Sequence, residues 1–206
     1  MNEASASRLT AYYHFHSLIY DATRWSFLFG RDQILGDLAS CRAAPRRILE
    51  VGCGTGRNLE KLAARFPDAA LTGLDLSADM LRLARRKLAP YGTRLSWLQR
   101  AYDAPVAQDR PFDLVLFSYS LSMFNPGWES AITAALADLE VGGCIGVVDF
   151  HSSSLPWFRK WMQLNHVRME GHLLPWLKQN CRTSLDRVVP AYGGCWRYFF
   201  FVGLKP

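Results

Sequence analysis

Short apolar runs alternate along the chain with segments whose apolar residues recur at helical spacing. The runs that have the composition of buried strands are 47–52, 70–76, 94–100, 112–119 and 143–150. Between them, 57–66, 77–92 and 128–140 show the three-to-four-residue spacing of amphipathic helices. Because neighbouring parallel strands need a crossover helix, this alternation predicts an α/β fold with helices on both faces of a mostly parallel sheet.

The two ends of the chain depart from this alternation. Residues 6–39 predict two helices, which would form an N-terminal helical cap. Near the C-terminus, two strand-like runs flank Gly193 and Gly194 with no helix between them, which predicts an antiparallel hairpin at the sheet edge. We therefore expect one domain over 1–206, whose parts are a cap, a core, an insertion and a closing hairpin: 1–45, 46–150, 151–182 and 183–206.

Composition and charge narrow the class of protein. Half of the 206 residues are hydrophobic, which allows a sizeable core. No apolar run of membrane-spanning length and no secretory signal pattern is present, and five scattered cysteines lack metal-type spacing. We expect a cytoplasmic protein without a metal site. The net charge of +6 comes entirely from 151–206, with 8 basic and 2 acidic residues, which indicates an anionic partner surface or simply a basic exterior.

Three glycines follow the first predicted strand, at positions 52, 54 and 56. Glycine allows backbone angles closed to other residues and a close approach by a ligand, although a tight turn without a ligand would also use it. A dinucleotide fold needs a small residue where Arg57 stands. The carboxylate of Glu50, two residues before the first glycine, would repel a pyrophosphate and suits a ligand with a positive amino group.

The sequence E-V-G-C-G-T-G followed by G-L-D-L-S resembles the signature of class I S-adenosylmethionine-dependent methyltransferases. This resemblance implies a Rossmann-like three-layer sandwich with a seven-stranded sheet, and S-adenosyl-L-methionine as cofactor, with S-adenosylhomocysteine as product. It assigns the ammonium group to Glu50, the ribose hydroxyls to Asp75 and the adenine amino group to Asp103, where Tyr102 replaces a usual glycine and a simple turn Asp is the alternative. The full set of expected cofactor residues is Glu50, Gly52, Cys53, Gly54, Gly56, Asp75, Leu76, Met80, Asp103, Ala104, Ser118, Tyr20 and Arg24.

Residues for the methyl-transfer step are predicted at strand ends and in the cap. An amine acceptor must lose a proton before it attacks, so a nearby proton acceptor would help. The candidates are Tyr119, His151 and Tyr13, with Asp149 and His16 as further possibilities. For His151, a surface or hydrogen-bonded core histidine is the alternative interpretation.

Residues 152–180 interleave aromatic and basic side chains, including Trp157, Trp161, Arg159 and Lys160. Tryptophan beside Lys or Arg suits the interfacial layer of a membrane, while tryptophans that complete a helix-on-sheet core are the alternative.

Two longer stretches, YHFHSLIYDATRWSFLFGRDQIL and VVDFHSSSLPWFRKWMQLNHVRMEGHLLP, resemble bacterial betaine-lipid N-methyltransferases. That resemblance implies methylation of the amine of diacylglyceryl-homoserine to its trimethyl betaine, by a peripheral enzyme on the inner face of the cell membrane. It assigns substrate binding to His166, Arg168 and Trp157, with Arg168 pairing with the substrate carboxylate.

Other functions remain open at this point. Phosphatidylethanolamine or another small molecule could be the acceptor, and a non-catalytic cofactor-binding module is a further alternative. RNA methyltransferases often carry N-P-P-Y or D-P-P-Y after the fourth strand, but this chain has SYSLSM there, so we expect no nucleic-acid partner.

Overall fold

Seven strands form one mixed sheet in the computed structural model, which describes residues 27–107 and 110–206. The strands are β1 (Arg47–Val51), β2 (Ala70–Asp75), β3 (Leu95–Gln99), β4 (Phe112–Ser118), β5 (Leu139–Ser152), β6 (Arg182–Ala191) and β7 (Trp196–Leu204). Their order is β3-β2-β1-β4-β5-β7-β6. Strands β1 to β5 pair in parallel, whereas β7 runs antiparallel to both β5 and β6. The predicted sheet and its C-terminal hairpin are confirmed.

In the described part of the chain, six α-helices cover the two faces of this sheet: α1 (Arg31–Cys41), α2 (Arg57–Arg65), α3 (Ala78–Lys87), α4 (Trp128–Asp138), α5 (Pro156–Leu164) and α6 (Leu173–Asn180). Apolar side chains of α1, α2, α3 and α5 pack on one face, and those of α4 and α6 pack on the other. Alternate residues of β1 supply both layers, since Ile48 belongs to the first core and Leu49 to the second. The chain therefore has the three layers expected.

Three boundaries differ from the sequence prediction. Helix α3 ends at Lys87, and a 3₁₀ segment (Ala89–Arg94) follows, because Pro90 lacks an N–H and Gly92 has a φ of 63°. Strand β5 begins at Leu139, directly after α4, and continues to Ser152, so the predicted core boundary at 150 falls inside a strand. The first predicted cap helix lies outside the described residues, and α1 is the second.

Candidate active site

A crevice of about 520 Å³ opens at the carboxyl ends of β1, β2 and β4. Strand β1 lies between β2 and β4, so the order of the sheet reverses there, and ligands of open α/β sheets bind at such a switch point. Five segments line the crevice: Gly52 and Gly54, 74–77 with Met80, 100–103, Tyr119 and Ser120, and 123–127.

The turn after β1 needs glycine for two different reasons. Gly52 has a φ of 72°, and a Cβ there would lie 2.6 Å from the Cβ of Ser120, so there is no room for a side chain. Gly54 has a φ of 54° but no atom within 4 Å of its Cβ position, so conformation alone requires glycine. Gly56 does not line the crevice, and a Cβ there would meet Leu88 at 2.7 Å, so it permits close helix packing instead.

The carboxylate of Asp75 ties two walls of the crevice together. One oxygen accepts the N–H of Gly54 at 2.8 Å, and the other accepts the N–H of Ser77 at 2.9 Å. Ser77 in turn caps α3, because its hydroxyl accepts the N–H of Met80. A carboxylate can accept about four hydrogen bonds, so Asp75 keeps acceptor capacity toward the crevice.

Glu50 is a buried carboxylate beneath the glycine turn. It is 1% exposed, and its Oε1 accepts a hydrogen bond from the amide of Asn58 at 2.7 Å. Its Oε2 is buried and has no hydrogen-bond partner among the described residues. Burial raises the pKa of Glu50 to about 7, against the hydrogen bond from Asn58 and the charge of Arg31, which lower it. This orphaned oxygen fits a cationic group of a ligand.

Tyr119 and Ser120 lie at the floor of the crevice. Tyr119 has a φ of 57°, a backbone conformation that costs a non-glycine residue energy and that concentrates at functional sites. Its ring lies edge-on to Phe150 at 4.8 Å, and its hydroxyl donates to the carbonyl of Phe29 at 2.8 Å. Burial raises the pKa of Tyr119 well above its ordinary value, so its hydroxyl stays protonated. The hydroxyl of Ser120 donates to the carbonyl of Val51 at 2.9 Å.

The wall after β3 is held by a buried carboxylate on α4. Asp138 accepts the hydroxyl of Tyr102 at 2.7 Å and the N–H groups of Val106 and Ala107. This anchoring places Asp103 at the rim, where it is exposed and forms an ion pair with Arg100 at 3.4 Å. Asp103 therefore lines the crevice, as the sequence predicted.

The structure brings together only part of the predicted set. Gly52, Gly54, Asp75, Leu76, Met80, Asp103 and Tyr119 line the crevice. Five predicted cofactor residues within the described ranges do not line it: Glu50, Cys53, Gly56, Ala104 and Ser118. Cys53 and Ser118 are buried, and Ala104 faces outward. Tyr13, Tyr20 and Arg24 lie outside the described residues.

His151 is not among the residues that line the crevice. Its Nδ1 lies 2.9 Å from the hydroxyl of Ser152, and its carbonyl accepts the N–H of Gly171. Its ring lies 6.2 Å from that of Phe199, and burial lowers the pKa of His151. Its expected position at the rim is wrong because β5 continues past Phe150, still paired with β7.

The predicted substrate residues lie on a separate surface. Trp157 and His166 are exposed, and the guanidinium of Arg168 forms an ion pair with Glu170 at 2.6 Å. None of the three lines the crevice. Their link to it is indirect: the N–H of Arg168 donates to the carbonyl of Ser122, next to the lining residue Met123.

Sequence reasoning missed the wall formed by 120 and 123–127. This segment contains a cis peptide bond before Pro126 and leads into α4. The signal was available, because S-L-S-M-F-N-P-G directly follows the fourth strand, where loops of parallel sheets meet ligands.

Comparison with known proteins agrees with this geometry. Residues 48–143 match the family model described as "Methyltransferase domain". Trans-aconitate 2-methyltransferase of Methylobacterium nodulans is 37% identical over 105 residues, which are 51% of this chain and 38% of that protein. The chain spans less than two fifths of the length of this relative.

Solved structures share the fold. N-methyltransferase NodS from Bradyrhizobium japonicum WM9, in complex with S-adenosylhomocysteine, has a TM-score of 0.69 at 18% identity and covers 86% of this chain and 88% of its own. Phosphoethanolamine N-methyltransferase 2 of Haemonchus contortus, in complex with S-adenosylmethionine, has a TM-score of 0.72 at 14% identity, with 89% of this chain and 56% of its own covered.

The sheet order and the glycine turn agree with this family match. Residues 48–143, slightly less than half of the chain, match a methyltransferase domain, and solved structures with this fold hold S-adenosylhomocysteine or S-adenosylmethionine. The curated relative described above is named for trans-aconitate rather than for a betaine lipid, so the methyl acceptor is a separate question.

Two absences hold for the described part of the chain. Within residues 27–107 and 110–206, no helix is long and apolar enough to cross a bilayer. Over the same ranges, no group of three or more His, Cys, Asp or Glu side chains is arranged to hold a metal ion.

Proposed function

We propose that this chain is an N-methyltransferase that methylates the amine of a lipid headgroup, with diacylglyceryl-homoserine as the first acceptor to test. When bound, S-adenosylmethionine supplies an electrophilic methyl group, and the protein supplies position and electrostatics. The described residues fit this cofactor, since the crevice is lined by a glycine turn and an accessible carboxylate, and the buried Glu50, two residues before the first glycine, has a carboxylate oxygen without a partner among the described residues.

Each of these groups would bind one part of the cofactor. The Oε2 of Glu50 would accept hydrogen bonds from the ammonium group, and Asp75 would accept them from the ribose hydroxyls. Leu76, which is 72% exposed, and Met80 would cover the adenine, and burying Leu76 in this way would remove apolar surface from water. Asp103 would accept from the adenine amino group at the rim.

The charge of the crevice lining is the observation that carries the choice of an amine. Among the described residues that line the crevice, the only cation is Arg100, and it is paired with Asp103. Asp75, Tyr102, Tyr119 and Phe124 are also among the lining residues. Carboxylates and ring faces favour an amine and its methylated cation. A tricarboxylate such as trans-aconitate would meet no unpaired cation among the lining residues within 27–107 and 110–206.

A lipid acceptor is supported by the surface next to the crevice. Trp157, Trp161 and Leu164 are 68%, 47% and 74% exposed on α5. Trp161 contacts the ring of Phe27 at 6.1 Å, and Phe29, two residues later, accepts the hydrogen bond from Tyr119. An exposed apolar surface therefore lies a few contacts from the crevice floor, as a membrane-bound substrate requires.

The geometry disfavours the hydroxyl of Tyr119 as a proton acceptor, because it donates to the carbonyl of Phe29 and keeps its proton. Tyr119 is better suited to positioning, with its buried ring closing the floor against water. Replacement of Tyr119 by Phe would keep this ring.

A direct methyl-transfer assay tests the proposal. The purified chain and S-adenosylmethionine are incubated with detergent-dispersed diacylglyceryl-homoserine, with phosphatidylethanolamine, or with trans-aconitate, and the products are identified by mass spectrometry. We expect mono-, di- and trimethylated homoserine lipid. Turnover of trans-aconitate without turnover of either lipid would overturn the proposal. Lipid profiles of a host that makes diacylglyceryl-homoserine, with and without this chain, provide the cellular control.

A further inference from the structure

Helix α5 divides its surface into three sectors. At about 100° per residue, Trp157, Trp161 and Leu164 share one side, and we call this the tryptophan stripe. Phe158 and Met162 are buried against the sheet on a second side. Arg159, Lys160 and Gln163 occupy the third side, next to the tryptophan stripe.

The third side lines a cleft of about 380 Å³, distinct from the crevice. Its residues are Pro156, Arg159, Lys160, Gln163, Val167, Arg168, Met169 and Glu170, and we call it the basic cleft. Three cations face one carboxylate, Glu170, which is paired with Arg168. The basic cleft therefore keeps an excess of positive charge, which favours an anion.

We infer that the basic cleft binds the phosphate of an anionic phospholipid while the tryptophan stripe inserts into the headgroup layer of the same bilayer. Tryptophan rings partition to that layer, and cations beside them meet lipid phosphates. Neither the tryptophan stripe nor the basic cleft alone indicates a membrane. Because they lie on adjacent sides of one helix, the apolar rings and the cations can contact the same bilayer surface. This inference rests on the proposed function, in which the methyl acceptor is a lipid held in a bilayer.

The position of the cleft relates the bilayer to the crevice. Its outer wall is fixed by the N–H of Arg168, which donates to the carbonyl of Ser122 at 2.8 Å. Ser122 precedes Met123, which lines the crevice. A bilayer held at the basic cleft therefore lies next to the crevice wall, where a lipid headgroup could enter.

Vesicle sedimentation of the full chain tests this inference without any methyl transfer. We expect binding to phosphatidylcholine vesicles that contain phosphatidylglycerol, and weaker binding to phosphatidylcholine alone or at high salt. The double variant Arg159→Gln/Lys160→Gln should bind the anionic vesicles at least about tenfold more weakly, since each cation near an anionic leaflet contributes to the binding free energy. Trp157→Ser/Trp161→Ser should also lose binding. The matched control is Arg85→Gln/Arg86→Gln, which removes two exposed charges from the end of α3 and should bind normally.

Several results would overturn the inference. Equal vesicle binding by the Arg159→Gln/Lys160→Gln and control variants would exclude the basic cleft as the lipid-binding site. Calorimetric binding of inorganic phosphate without vesicle binding would make it a site for a free anion. A dimer in sedimentation velocity that Trp157→Ser/Trp161→Ser dissociates, without vesicle binding, would assign the stripe to a second copy of the chain.

The two proposals fail separately. Arg159→Gln/Lys160→Gln and the control variant should retain S-adenosylhomocysteine binding and turnover of detergent-dispersed acceptor, because none of their changed residues lines the crevice. Vesicle binding without turnover of any lipid amine would refute the proposed function alone, and turnover without vesicle binding would refute the docking alone.

Discussion

At the scale of single residues, the charge of the Glu50 carboxylate affects both the proposed cofactor binding and the stability of the fold. Its complete burial favours the neutral form, whereas the proposed ammonium partner favours the charged form. The folded chain thus carries a carboxylate whose charge destabilises it until a cationic ligand arrives. Trade-offs between stability and function are expected at such positions.

We expect Glu50→Gln to stabilise the ligand-free protein at pH 8. Since the pKa of Glu50 is raised from 4.5 to about 7 in the folded state, the protonated form contributes stability that is fully present below pH 4.5 and lost as the pH rises through 7. The loss amounts to about 3 kcal/mol at most. Glutamine keeps the acceptor for Asn58 and never ionises, so its melting temperature at pH 8 should be several degrees higher, with no gain at pH 4.

Calorimetric titration completes this test. Affinity for S-adenosylhomocysteine should fall about tenfold or more in Glu50→Gln, because a charge-assisted hydrogen bond is lost. Glu129→Gln, at an exposed position in the first turn of α4, is the control and should change neither property. The stability gained by Glu50→Gln over the unchanged chain should be larger at pH 8 than at pH 4. An equal gain at both pH values would contradict the raised pKa assigned to Glu50.

Asp75 permits a second test at this scale. Asp75→Ala should weaken S-adenosylhomocysteine binding by about a hundredfold or more, because two hydrogen bonds to an ionised acceptor are lost. It also removes the acceptor for Gly54 and Ser77, so Asp75→Asn, which can keep one of these bonds, should bind with intermediate affinity. Asp79→Asn, which changes a carboxylate paired with Arg82 outside the crevice lining, is the control. Unchanged affinity in Asp75→Ala would exclude the ribose role.

The sequence indicated Glu50 by its place two residues before the glycine turn, and Asp75 through the resemblance of G-L-D-L-S to a methyltransferase signature. It could not predict that Gly56 packs against Leu88 or that the hydroxyl of Tyr119 is bonded to Phe29, since both partners are distant in sequence. Contacts of this kind depend on how the helices pack on the sheet, and the local sequence pattern does not predict them.

At the scale of elements, the periodic segments were predictable and their ends were not. Apolar runs gave the strands of the sheet because buried parallel strands are almost continuously apolar. The extension of β5 to Ser152 was not predictable, because it depends on pairing with β7, which lies some fifty residues further along the chain. That extension is why His151 lies outside the crevice.

The turn between β1 and α2 can be tested with a matched pair of glycines. Gly52→Ala should destabilise the chain by about 1–3 kcal/mol, since its φ is 72° and the new Cβ would lie 2.6 Å from Ser120. Gly36→Ala, in α1 with no atom within 4 Å of the Cβ position, should stabilise it by about 0.5–1 kcal/mol. Urea unfolding followed by circular dichroism measures both. A Gly52→Ala variant as stable as Gly36→Ala would show that the turn tolerates a side chain.

At the scale of the whole molecule, the fold alone allows two nucleotide classes. Doubly wound sheets bind both dinucleotides and S-adenosylmethionine at the switch point. Here the third small position of the dinucleotide pattern is Arg57, which pairs with Asp32 at 3.1 Å, and Glu50 lies beneath the turn. Both features oppose a pyrophosphate and favour the methyltransferase cofactor.

Thermal unfolding distinguishes the two classes. S-adenosylhomocysteine at about a hundred times its dissociation constant should stabilise the chain by about 2.7 kcal/mol, which raises the melting temperature by about 5–10 °C. NAD at the same concentration should leave it unchanged. A larger shift with NAD than with S-adenosylhomocysteine would reverse the assignment of the crevice.

The hydrogen bonds of Asp75 have a kinetic consequence. Because Gly54 and Ser77 donate to this carboxylate, the turn after β1 and the start of α3 are fixed relative to each other by the chain's own hydrogen bonds. Association then requires little ordering of the backbone, so it should follow a single exponential whose rate rises linearly with nucleoside concentration. A rate that levels off would instead reveal a slow rearrangement before capture.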